Sequence, residues 1–331
     1  MTNSPELRIL DVGHGNSAVV IAGRNGVVDA PRSTILQDTL RELRVDVLHA
    51  VLISHSDADH VAGIVDLLLD TTVRVENLYV NSDGTKDNDS WTRLKRAMSD
   101  ARLRAQTRFV VSLTSDFPGT ISLGGDVELE VLSPASAEAV GGPGTSDLCG
   151  RKLDANDTSA VIRVLHRGEP RALLAGDMGR GTLERLRQSG TSVKAPILVF
   201  PHHGGRPGTA DAAAFTADLL ELVQPDVVIF SIGRGRHGTP RPEIVEQIRR
   251  RGGCDVACTQ LSGRCALNVP NVPDDRLDPM PAAGRNANSC CAGSLAFPLD
   301  RSLAGHQTLA AHRVFVESSV PHPLCRGAVA P

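Results

Sequence analysis

Alternating apolar and polar positions divide the chain into short strands separated by turns and helical stretches. The opening ELRILDVGHGNSAVVIAGRNGVVDAP reads as three short strands, turned at GHGNS and at GRNG. Residues 33–44 carry a helical pattern with Ser33 or Thr34 as the N-cap, and the apolar run LHAVLI then reads as a buried strand. VAGIVDLLLD continues as a helix, VRVENLYV as a strand and DSWTRLKRAMSDARLR as an amphipathic helix.

The second half repeats this style. GDVELEVL precedes a Gly/Pro/Ser/Ala-rich loop around 133–150, and TSAVIRVLHRGEPRALLAGD reads as a hairpin-like strand pair. A helix at about 180–189, the strand APILVF, a helix at about 209–223, the strand PDVVIFS and a helix opened by PRPE follow. Two such halves predict a sandwich of two mixed sheets with helices outside. Beyond Gly252 the pattern loosens: 268–290 reads as an irregular excursion before a final strand around His312 to Val316. The expected organisation is therefore a main domain over 1–252 and a Cys/His-rich extension over 253–331 packed on it.

Composition narrows the function. With 331 residues and 41% hydrophobic content the chain can bury a substantial core. Its net charge of −3, one Trp, one Tyr and seven Phe provide neither a broad field for nucleic acid nor base-stacking platforms, so a polyanion must be captured locally. There is no apolar run of roughly 18 residues and no basic start followed by an apolar stretch, so the expectation is a cytoplasmic protein without a membrane partner. Six of the seven cysteines fall from Cys254 onward, a clustering that suggests metal or thiol chemistry in a reducing compartment.

The chemistry concentrates in SHSDADHVAGI. His55, Asp57, Asp59 and His60 follow an apolar strand, where unpaired charge is expensive, and imidazole with carboxylate is a ligand set for zinc, manganese or iron. A polar turn with Asp59 capping the next helix would use the same residues. LLAGDMG puts Asp177 at another strand end, VFPHHGG places His202 and His203, and IFSIGRGRH places His237. Singly these read as a helix cap, a surface turn and a basic loop residue; together they add three groups on one rim.

HSDADH, AGD and PHHG in this order resemble the metallo-β-lactamase superfamily. DVGHGNS, SHSDADHVAG, NDTS, LLAGD, FPHHGG and SIG together resemble the metal-binding domain of the DNA-uptake protein ComEC and its soluble relatives, over roughly residues 7–252. The resemblance implies an α/β (α+β) fold, the αββα sandwich, with two divalent metal ions, Zn or Mn, at the sheet edges. His55 and Asp57 would hold one ion, Asp59 and His60 the other; Asp177 would bridge them, His202 would be a further ligand and His203 would support a ligand or face substrate. Asp59, Asp177, His203 and His237 would carry catalysis. Asp57 stands where the wider superfamily has histidine, which shifts preference toward manganese. Asn156 and Asp157 replace a middle-motif histidine, Asn156 as a supporting group, and Thr239 in GTP replaces a closing histidine. Asp11 and Asp29 would orient imidazoles or brace the motif turn, or be structural turn carboxylates; His14 is a loop histidine that could face the site.

A pair of cations activates water without a protein nucleophile, and neither GxSxG nor GxxxxGK[ST] occurs. The leading expectation is a metal-dependent hydrolase of a phosphodiester, in nucleic acid or a nucleotide. The alternatives are a carboxylic ester, lactone or lactam hydrolase, or a catalytically degenerate metal-bound sensing module. Arg206, Arg234, Arg236 and Arg241 lie on loops beside the ligand candidates, where guanidinium groups clamp phosphate. In the tail, Cys258, Cys265, Cys291 and His312 are the candidate set for a structural zinc, against buried free thiols. The sequence names no protein partner.

Overall fold

The computed structural model describes residues 4–208 and 210–326. A loop over 10–17 and a short turn over 22–25 join β1 (Glu6–Ile9), β2 (Ala18–Ile21) and β3 (Gly26–Val28) into an antiparallel meander. Parallel pairing then carries β3 to β4 (Val47–Leu52), β5 (Arg74–Tyr79) and β6 (Arg108–Val110). Parallel neighbours need crossovers, supplied by α1 (Ile35–Glu42), α2 (Ala58–Leu69) and α3 (Asp89–Ala105).

The second sheet is built the same way. β7 (Ile121–Gly124), β8 (Val127–Ser133), β9 (Val161–His166) and β10 (Glu169–Leu174) are antiparallel, with short α4 (Ser136–Gly141) between β8 and β9. β11 (Ile197–Val199), β12 (Val227–Phe230) and β13 (Asp255–Cys258) continue in parallel through α5 (Arg180–Gln188), α6 (Ala212–Val223) and α7 (Pro242–Arg251). After short α8 (Ala283–Asn286), β14 (Leu295–Pro298) pairs with β1, and α9 (Gln307–Ser319) follows. Segment 253–326 thus supplies one of the two edge strands of each seven-stranded sheet.

Three apolar layers follow from strand alternation. Leu7, Ile9, Val20 and Leu52 of one sheet meet Leu129, Val131, Ile162 and Leu174 of the other. Outward residues Val19, Val51 and Ile53 pack on Leu36, Leu40, Ile64 and Leu94, while Val161, Leu173 and Leu198 pack on Leu183, Phe215, Leu219 and Ile244. The architecture is the αββα sandwich, and the central parallel strands, buried on both faces, are the continuous apolar runs of the sequence. No helix among the described residues is long and apolar enough to cross a membrane.

One expected element is different. His312 to Val316 is not a strand but part of α9, although its RVFV stretch favours extended structure. Leu309, His312, Phe315 and Val316 share a buried face at helical spacing, and that burial overrides local preference. The strand near this position is β14, whose four residues LAFP end in proline and offer little period-two signal.

Each sheet changes from antiparallel to parallel pairing, one at β3 and the other at β10. Loops leaving the C-terminal ends of β3, β4, β10, β11 and β12 gather at this switch, the place where open sheets present ligands.

Candidate metal centre

The HSDADH turn crosses between the sheets. Past β4, Ile53 N donates to the Tyr79 carbonyl (2.9 Å), and Ala160 N of the second sheet donates to the Ser54 carbonyl (2.8 Å). The first turn of α2 is then fixed to the end of β3 by Ala30 N to His60 O (2.8 Å) and Gly63 N to Ala30 O (2.9 Å). A Cβ at Gly63 would lie 2.2 Å from the Pro31 carbonyl oxygen, so this close docking requires glycine.

Asp57 occupies the N-cap position of α2, yet its side chain accepts no helix N–H. A capping bond is worth about 1 kcal/mol. The carboxylate instead pairs with the Lys86 amine and lies 3.6 Å from His55 Nε2. His60 is fully buried, and its Nδ1 sits 2.8 Å from Asp29 Oδ2, while Ser54 donates to Asp29 through both its backbone N and its hydroxyl (2.7 Å each). With Nδ1 held against Asp29, Nε2 points into the site, where a cation would take the place of a proton.

Asp177 enters from β10 across Gly176, where a Cβ would meet Ser159 Oγ at 2.4 Å. Its backbone N donates to that hydroxyl (3.0 Å), which also lies 3.4 Å from His55 Nδ1. His60 Nε2 is 3.3 Å from Asp177 Oδ1, and His55 Nε2 is 3.9 Å from Oδ2. The PHHG turn brings in two histidines with left-handed backbones, φ +54 at both His202 and His203. Such a conformation costs about 1–2 kcal/mol per residue. It sends neighbours to different carboxylates: His202 Nδ1 lies 3.2 Å from Asp177 Oδ2, and His203 Nε2 lies 3.2 Å from Asp59 Oδ2. His203 Nδ1 donates to the Ser231 carbonyl (2.9 Å).

Two groups of donor atoms result, each mutually within 4.8 Å: His55, His60 and Asp177, and His14, Asp59 and His203. Their composition departs from the pairing implied by the family resemblance. Asp59 Oδ2 still lies 4.0 Å from His60 Nε2, but His203 (3.2 Å) and His14 (3.4 Å) are nearer to it, and His60 Nε2 is nearer to Asp177 Oδ1 (3.3 Å). His203 is the histidine against Asp59, and His202 stands against Asp177.

Burial would raise the pKa of Asp177 and Asp59, but His60 and His202 hold the first well below the usual carboxylate range, and His14 and His203 do the same for the second. Asp57 is lowered to about 2, chiefly by its bond to His55. Burial opposes charge on His60, yet Asp177 and Asp29 raise its pKa. Nε2 of His55, His60 and His202 and Oδ1 of Asp177 are buried without a hydrogen-bond partner, although several lie within 4 Å of one another. Ionised carboxylates and converging, unaligned lone pairs are what a divalent cation satisfies, so these residues fit one.

Other expected residues take lesser places. Asp11 touches no imidazole; it accepts from Gln260 Nε2 (2.9 Å), Gly284 N (2.9 Å) and Gly13 N (3.2 Å) and so braces the β1–β2 turn. Asn156 lies in a turn whose carbonyl accepts from Ser159 N (3.1 Å), and its Oδ1 is buried without a partner. His237 is exposed, with its ring 4.5 Å from that of His14, and Thr239 is buried. Arg234 spends its guanidinium on the Leu261, Ala266 and Leu267 carbonyls, and Arg241 pairs with Glu243. Arg206 lines a different cavity. Arg236 does line the cleft beside Asp59, joined by Arg32, which sequence reasoning missed. Ser159 and Lys86 were also missed; a serine and a lysine in polar loops carry no distinguishing signal.

The tail residues Cys258, Cys265, Cys291 and His312 line one small cavity with Cys325, and Cys291 Sγ is 3.2 Å from His312 Nε2. Their donor atoms do not gather as the rim groups do: among the described residues, only the two rim groups bring three within 4.8 Å of one another.

No protein-family model and no curated protein matches the chain. Among solved structures, it is similar to Igni18, a metallo hydrolase from the hyperthermophilic archaeon Ignicoccus hospitalis, at 14% identity over 76% of this chain and 94% of that one, TM-score 0.44. It is similar also to Zn(2+)-bound PqqB from Methylobacterium extorquens, at 15% identity over 76% and 97%, TM-score 0.46. A metallo-β-lactamase from Staphylococcus aureus is similar at 13% identity over 100% and 69%, TM-score 0.36. At these identities and scores the likeness carries no assignment of activity.

Proposed function

We propose that this chain is a hydrolase of the metallo-β-lactamase superfamily, of the ComEC-like branch, that uses two divalent cations, zinc or manganese, to cleave a phosphodiester in nucleic acid or a nucleotide in the cytoplasm. The observation that carries the reading is the convergence of His55, His60 and Asp177 beside Asp59 and His203, with Nε2 of His60 and of His203 turned inward by the bonds of Nδ1 to Asp29 and to Ser231. When bound, such cations lower the pKa of water and polarise an electrophilic oxygen.

The chain's own residues supply the rest. Asp59 and Asp177 stay ionised and offer hard oxygen donors suited to phosphoryl chemistry. A cleft of about 820 Å³ opens beside Asp59 and is lined by His14, Ser90, Gln260 and His237. That volume falls in the range of small-molecule sites. Arg32 and Arg236 are exposed on its wall and have no carboxylate partner among the described residues, so both guanidinium groups are free for an anionic substrate.

The test is hydrolysis of bis(p-nitrophenyl) phosphate, single-stranded DNA and RNA by the purified chain with manganese or zinc. Turnover should vanish on chelation and return with the cation. Inactivity on all three with both metals would overturn the reading.

A further inference from the structure

The β1–β2 turn brings a histidine to the rim that the HSDADH, AGD and PHHG motifs do not include. We infer that His14 is a cation ligand, which with Asp59 and His203 forms the second metal position of this chain. The inference rests on the cation-dependent reading above.

The turn is wedged into place. Leu10 N closes it on the Ser17 carbonyl (3.0 Å), and Asp11 anchors it from behind. Gly15, at φ +124, approaches so near to α2 that a Cβ would lie 2.5 Å from the Asp59 carbonyl oxygen and 2.7 Å from Pro31 Cβ. On the opposite side a Cβ at Gly233 would lie 2.6 Å from the His14 backbone N. The turn is thus packed closely on both flanks, and His14 lines the cleft between them.

Ser231 couples the two histidines. Its hydroxyl donates to the Gly15 carbonyl (2.6 Å), and its own carbonyl accepts from His203 Nδ1 (2.9 Å). One residue therefore positions both turns. The result puts His14 Nε2 3.4 Å and His203 Nε2 3.2 Å from the same oxygen, Asp59 Oδ2, with ring centroids 4.7 Å apart. Because His203 gives its Nδ1–H to a carbonyl, its ring is fixed with Nε2 turned toward that carboxylate, beside Nε2 of His14. Two imidazoles and one carboxylate are a complete three-residue protein set for a cation with an open position.

The experiment is metal counting on the full chain, independent of any substrate: apo protein reconstituted with zinc, desalted and measured by elemental analysis. We expect about two equivalents for the unaltered chain and about one for His14→Ala, the remaining one marking a folded His55/His60/Asp177 site. Two equivalents of unchanged affinity in His14→Ala would overturn the inference, as would a single equivalent in both proteins. No zinc in either would instead remove the hydrolase reading and the inference with it. A second variant guards against misfolding: His14→Cys loaded with cobalt should gain a thiolate-to-cobalt charge-transfer band that the unaltered chain lacks. Absence of that band in cobalt-loaded His14→Cys would also overturn the inference.

Discussion

The molecule gathers ligand-type side chains in two places, and the two behave differently. At the rim, imidazoles meet ionised carboxylates, and each of His60 and His203 has its far nitrogen fixed by Asp29 or Ser231. In the thiol cavity beside α9, Cys258, Cys265, Cys291 and Cys325 surround His312 with no carboxylate among the lining residues. Burial pushes Cys258 and Cys291 well up and Cys325 to about 11, so the thiols stay protonated. Burial, with help from the Arg276 charge, pushes His312 down to about 3. The inventories are similar; orientation and counter-charge separate a cation site from a packed core. The set expected for a structural zinc, Cys258, Cys265, Cys291 and His312, does not bring three donor atoms within 4.8 Å of one another among the described residues.

The contrast can be broken most forcefully at Asp177, which touches His55, His60 and His202. Asp177→Asn should cost several kcal/mol of transition-state stabilisation, roughly 10³-fold in kcat/KM, with the fold retained by circular dichroism. An effect below tenfold would put the chemistry elsewhere. Next comes Asp29→Asn, which leaves every proposed ligand in place but loosens His60; zinc affinity measured against a chelator should fall about 10–100-fold.

The thiol cavity should answer to pH and stability instead. His312 stays neutral in the folded chain down to about 3, whereas an unfolded histidine titrates near 6.5. As pH falls from about 6.5 toward 3, the unfolded state alone takes up the proton, so stability falls by about 1.4 kcal/mol per pH unit from this group. Urea midpoints of His312→Phe should show a flatter acid limb than those of the unaltered chain; parallel limbs would refute the assignment. The smallest effect is expected for Cys291→Ala, about 1 kcal/mol of stability by lost packing and no change in kcat/KM. A loss of bound zinc in that variant would erase the distinction between the two places.

The rim was largely legible because its residues stand directly after apolar strands: HSDADH after β4, AGD after β10 and PHHG after β11. Residue type and strand end are both visible in one line of sequence. Which histidine meets which carboxylate was not, since it depends on the left-handed backbones of His202 and His203. His14 was visible as a loop histidine, but its approach is set by Gly233 and Ser231, more than 200 positions away. The arginines mislead for a related reason. Arg234 looks identical to Arg236 in GRGRH until three backbone carbonyls are seen to occupy it. In the tail, α9 hid behind a β-branched stretch and β14 behind its brevity.

The outermost pairings, β14 on β1 and β13 on β12, mean that the last quarter of the polypeptide hems both fabrics. A version ending at Gly252 would leave β1 and β12 with raw selvedges, each inviting another copy to stitch on. It would also cut Gln260, Gly284 and Cys290 away from Asp11, and with them the tether that keeps the histidine of the first hairpin on station.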